Sequence, residues 1–124
     1  MSVMKVKRSL SILAVVAGIL SAVACGYTSP TAPNLAPGVD VQITIKGMLG
    51  AQSYDPNPAS VKVGQTVAWY NADTTAHSAT GAVFDTGSVG YLQTSQPITL
   101  TAAGTISYHD SIHPDMVGTL TVTQ

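Results

Sequence analysis

The sequence predicts an all-β domain, an antiparallel sandwich or barrel. Three observations lead there: apolar and polar residues alternate with a period of two, Gly and Pro punctuate the runs every few residues, and no window carries a long amphipathic helical pattern. The composition agrees. Of 124 residues, 45% are hydrophobic and only 9% charged, which suits one small domain with a packed core and not a charge-rich disordered chain.

The strands are read in order. Val39, Val41, Ile43 and Ile45 alternate with Asp40, Gln42, Thr44 and Lys46, as in a half-buried strand. Val61, Val63, Val67 and Trp69 continue the pattern around a turn at Gly64-Gln65. Ile98 and Leu100 follow between threonines, then Ile106 and Tyr108, then Leu120 and Val122. In the next-to-last run, Ile106, Tyr108 and Asp110 share a face, and Thr105, Ser107 and His109 take the other. Asp110 therefore sits at the inner end of an apolar face. A carboxylate there needs a partner, because an unpaired buried charge is costly; a metal ion or His113 would supply one. His109 is expected to point outward.

The domain is expected to span residues 39–124, and what precedes it reads differently. Lys5, Lys7 and Arg8 come before the apolar run Leu10 to Leu20, and the small residues Ser21 to Ala24 come after it. That order is an export signal, placed at residues 1–24. Its apolar core is short for a membrane span, which takes about 20 residues. The single cysteine, Cys25, stands directly behind the small residues, as in a bacterial lipobox, and is expected to carry the lipid. Pro30, Pro33 and Pro37 make residues 25–38 an extended tether. The protein is thus expected to be exported to the periplasm or cell envelope and to meet the membrane through its lipid anchor alone.

Charge and cysteine count exclude several functions. Downstream of Cys25 two lysines face six aspartates, so nucleic-acid phosphates have no counterpart here. One cysteine permits neither an internal disulfide nor a multi-cysteine metal site. There is no Gly-rich phosphate loop, no paired-carboxylate signal and no nucleophile–base motif, so an enzyme is not expected.

The chemistry concentrates on three histidines. His109 and His113 lie in the stretch from Tyr108 to Gly118, between the last two strands, and His77 lies in an earlier loop. Loops at one end of a sandwich can aim such side chains at a common point. The stretch Tyr108-x-Asp110-x-x-His113-x-x-Met116-x-Gly118 resembles the C-terminal ligand loop of the cupredoxins in its short, amicyanin-like form, Tyr-x-Cys-x-x-His-x-x-Met-x-Gly. Upstream, Val67-x-Trp69-x-Asn71 followed by His77 resembles the other half of that family's site. The resemblance implies a Greek-key β-sandwich and a single copper ion. It implies His77, His113 and Met116 as ligands, with Ser78 as the residue that braces the first histidine.

One position departs from the family: Asp110 stands where the cysteine ligand would be. A His₂Cys set defines the blue copper site. Two imidazoles and a carboxylate, from His77, Asp110 and His113, imply a type-2-like, non-blue site that favours Cu(II) and admits zinc, with Met116 as a weak axial partner. The function expected from the family is electron transfer or copper handling with a redox or copper-trafficking protein partner. The alternative is a metal-free sandwich serving as a binding or structural module of the envelope. Asp73 and Asp115 read as turn residues, and Met48 and Leu49, between Gly47 and Gly50, read as a hairpin tip or an apolar rim near the site.

Overall fold

The alternating segments form eight strands: β1 Val41–Ile45, β2 Tyr54–Asp55, β3 Ala59–Lys62, β4 Thr66–Asn71, β5 Thr80–Gly81, β6 Ile98–Thr99, β7 Gly104–His109 and β8 Val117–Thr123. They belong to a computed structural model that describes residues 35–124. The expected signal at 1–24, Cys25 and the tether as far as residue 34 lie outside the described residues. One single-turn 3-10 helix, Gly50–Gln52, is the only helical element among the described residues.

The strands make two four-stranded sheets, ordered β2-β1-β4-β6 and β3-β8-β7-β5. The sandwich is as expected, but both sheets are mixed and not purely antiparallel. β1 runs parallel to β4, with Val41 opposite Val67 and Ile45 opposite Asn71; β3 runs parallel to β8, with Ala59 opposite Leu120. The reason is the route of the chain. It changes sheet at every step from β2 to β7, so most neighbours within a sheet are not consecutive in sequence. Parallel neighbours need a crossover, and strands of the opposite sheet provide it. Only β1–β2 and the β7–β8 hairpin, which pairs Gly104 with Val122 and His109 with Val117, join consecutive strands.

Every second side chain faces the space between the sheets. One sheet contributes Ile43, Ile45, Val67 and Trp69; the other contributes Ala59, Val61, Tyr108, Leu120 and Val122. Ala79, Phe84, Leu100 and Met116 close the core from the connections. Its centre is aromatic. Trp69 stacks on Phe84 at 5.0 Å between centroids, and Tyr108 meets Tyr54 and Trp69 edge-on at 4.8 and 5.4 Å. Gly118 makes this arrangement possible, since a Cβ there would clash with the edge and hydroxyl of the Tyr108 ring.

Val63 departs from the expected alternation and is exposed. β3 stops one residue earlier, where Gly64 takes φ +90° and the Gln65 side chain caps the Lys62 N–H at 2.8 Å. The turn expected at Gly64-Gln65 thus extends back over Val63.

Candidate metal centre

Two connections meet at one end of the sandwich. The first is the segment that follows β4 and carries His77. Its backbone is pinned to Val89 by a reciprocal pair of hydrogen bonds, His77 N–H to Val89 O at 3.1 Å and Val89 N–H to His77 O at 2.7 Å. The second is the loop from β7 to β8. Asp110 N–H donates to Met116 O, and Met116 N–H donates to His113 O, each at 3.0 Å, so the loop folds back on itself.

The inward face of β7 carries its alternation to the end. Tyr108 and Asp110 are buried and His109 is exposed, as the sequence predicts. Asp110 has no solvent exposure at all. Its Oδ1 accepts from Ser78 N–H at 3.0 Å, from the Ser78 hydroxyl at 3.1 Å and from Ile112 N–H at 2.9 Å. Its Oδ2 faces Nδ1 of His77 at 2.7 Å and Nδ1 of His113 at 3.1 Å. Burial works against ionisation of this carboxyl. The hydrogen bonds from Ile112, His77, His113 and Ser78 outweigh burial and hold it below the usual carboxylate range.

His77, Asp110 and His113 each offer a donor atom, and these atoms lie within 4.8 Å of one another. His77 is fully buried, whereas the His113 side chain is 27% exposed and forms the open side of the cluster. The donor set fits a small cation. Ligands about 2.0–2.2 Å from a tetrahedral ion stand about 3.3–3.6 Å apart. The contact at 3.1 Å needs to open by about 0.2–0.5 Å and the one at 2.7 Å by about 0.6–0.9 Å to reach that spacing. Met116 is buried in the core and lines a groove of about 320 Å³ together with His113, Met48, Ile112 and Asp115. Met48 and Leu49 are exposed, Met48 at the edge of that groove, so the apolar-rim reading of this tip describes it.

Three features were not foreseen. Ser78, expected to brace His77, braces Asp110 instead, through its N–H and its hydroxyl, and that hydroxyl also accepts from Ser111 N–H at 2.8 Å. The Tyr54 hydroxyl reaches out of the aromatic core to Ser78 O at 2.6 Å, and no local pattern at Tyr54 signals this. Asp73 is more than a turn residue, because its Oδ2 accepts from His77 Nε2 at 2.7 Å. The hydrogen bond from His77 is the main reason its carboxyl stays below the ordinary range. The four-residue spacing from Asp73 to His77 was the available signal.

No family model matches the chain, and no curated protein does. Solved structures do. A purple cupredoxin from Nitrosopumilus maritimus is 25% identical over 68% of this chain and 100% of its own, with a TM-score of 0.61. An oxidized proline-to-alanine variant of amicyanin is 28% identical over 73% of this chain and 87% of its own, with a TM-score of 0.60. The reduced Cu(I) form, at pH 4, of a proline-to-glycine amicyanin variant is 29% identical over 77% and 92%, with a TM-score of 0.60.

Proposed function

On a cupredoxin-type sandwich in which a His/Asp/His/Met cluster replaces the usual cysteine-containing set, we propose that His77, Asp110 and His113 hold one copper ion, with Met116 as a weak axial neighbour. The observation that carries this reading is the shared Asp110 Oδ2, which two imidazole Nδ1 atoms face at 2.7 and 3.1 Å. The similarity to amicyanin structures with Cu(I) supports copper as the metal. Imidazole suits copper and zinc alike, and carboxylate oxygen favours Cu(II) over Cu(I).

When bound, copper supplies one-electron redox chemistry or a transferable cargo. The chain's own groups orient the ligands. Ser78 and Ile112 fix Oδ1 of Asp110, which leaves Oδ2 for the ion. His113, partly exposed beside an apolar rim, is the edge that a redox or copper-trafficking protein partner would meet. In this reading the protein is exported to the periplasm or cell envelope and tethered there by a lipid on Cys25, with electron transfer or copper handling as its task.

Titration of purified protein with Cu(II), followed by electron spin resonance, tests the reading. A one-to-one, nearly colourless type-2 complex is expected, and His77→Ala or His113→Ala should abolish it. An intense visible band of the copper–thiolate kind would refute the ligand set. Absence of binding to copper and zinc would instead favour a metal-free envelope module. The complete hydrogen bonding of Asp110 is what would serve such a module.

A further inference from the structure

We propose that Asp73 is a positioning residue that biases the His77–Asp110–His113 site toward divalent ions and against monovalent copper, an inference that rests on the metal-site reading above. A carboxylate oxygen only accepts hydrogen bonds. At 2.7 Å from Asp73 Oδ2, His77 Nε2 must therefore carry its hydrogen. Nδ1 faces Asp110 Oδ2, which accepts from it in the ion-free protein, so Nδ1 is the ring atom that would exchange its hydrogen for an ion held jointly with Asp110. The hydrogen bond on one side of the imidazole thus selects the donor on the other and strengthens it.

Asp73 is itself held. Its N–H donates to Asn71 Oδ1 at 2.9 Å, and its Oδ1 accepts from Thr74 N–H at 2.9 Å. Asn71 is fully buried and donates from Nδ2 to Thr75 O at 2.8 Å and Val89 O at 2.9 Å. Val89 is also the backbone partner of His77. One buried amide therefore ties the Asp73 turn to the segment that carries the histidine. On the far side the carboxylate packs against Gly47, where a Cβ would stand 3.5 Å from Asp73 Cγ. Such restraint exceeds what a solvated turn aspartate needs.

Charge supplies the selectivity. Asp110 lies on one side of the His77 ring and Asp73 on the other, while the nearby Lys46 turns to Asp55 at 3.8 Å. A divalent ion balances the two carboxylates. A monovalent ion leaves one negative charge uncompensated; Asp110 is fully buried and the Asp73 side chain 25% exposed, so solvent screens that charge only in part.

The test compares wild-type protein with Asp73→Asn and Asp73→Glu. Competition titrations with Cu(II), Zn(II) and Ag(I), a closed-shell stand-in for Cu(I), are read beside the midpoint potential of the copper-loaded protein. Asparagine keeps an acceptor and the turn but removes the charge. It is expected to weaken Cu(II) and Zn(II) by about 10- to 100-fold and Ag(I) by much less. The potential should rise by about 59 mV for each tenfold difference between Cu(II) and Cu(I). Asp73→Glu, which restores the charge, should recover much of the divalent preference. Equal losses for all three ions, or unchanged affinities and potential in Asp73→Asn, would overturn the inference while leaving the metal site standing. Wild-type protein that binds none of the ions would remove the site and this inference together.

Discussion

Two buried regions of this sandwich are built on opposite principles. The centre is a packed group of rings from Tyr54, Trp69, Phe84 and Tyr108, and it holds the two buried side-chain polar atoms without a partner among the described residues, Trp69 Nε1 and the Tyr108 hydroxyl. The end of the sandwich is polar, and there both oxygens of Asp110 and both ring nitrogens of His77 are engaged. The centre gains from shape and apolar area, and a missing hydrogen bond is tolerated. The end gains only from complete partnership, because each buried polar group there is costly once its partner is gone. Tyr54 belongs to both regions, with its ring in the centre and its hydroxyl on Ser78 O.

The largest effect that can break this contrast is expected from Asp110→Ala in the ion-free protein. The change strands the N–H groups of Ser78 and Ile112 and leaves His77 without its inner partner. Loss of one partner of a buried pair costs about 3–5 kcal/mol, measured by urea unfolding. A loss below about 1 kcal/mol would mean the polar end does not depend on the carboxylate.

Acid should act on the same residue. Asp110 titrates below its unfolded value in the folded protein. Its contribution to stability is therefore present above the unfolded pKa of about 3.9, and it is lost as the pH falls through the folded value. Melting temperature should drop below about pH 5 in the ion-free wild type. It should drop less steeply in Asp110→Asn.

The smallest effects sharpen the contrast, because they compare one hydroxyl with another. Burial raises the pKa of both tyrosines, that of Tyr108 to about 12, so both stay neutral phenols across the physiological range. Tyr54→Phe gives up a bond to Ser78 O and should cost about 0.5–1.5 kcal/mol. Tyr108→Phe removes an unpartnered hydroxyl and should cost less than Tyr54→Phe by denaturant unfolding. The reverse order would refute the division between the two regions.

Much of this was legible in the chain. The alternation through Ile106, Tyr108 and Asp110 foretold the burial of Asp110 and its need for a partner, which His77 and His113 supply. The exposure of His109 followed from the same alternation. The parallel pairing of β1 with β4 was not legible, because alternation fixes which face a side chain takes and says nothing about which strand lies alongside. β5 has two residues, too few for any period to register, yet Gly81 pairs with Tyr108 beside the site. Asp73 was hidden for another reason: aspartate is so common in turns that its four-residue spacing to His77 does not by itself stand out.

The β7–β8 loop has a longer consequence. It closes on itself through the backbone between Asp110, His113 and Met116, and both of its flanking strands are anchored elsewhere in the sheet. The backbone therefore sets the spacing of the three donor positions, while the N–H groups of Ser78 and Ile112 select a carboxylate for the first of them. Asp110→Cys would keep the backbone closure of the loop, give up the contacts from Ser78 and Ile112, and exchange a hard oxygen donor for a soft sulfur.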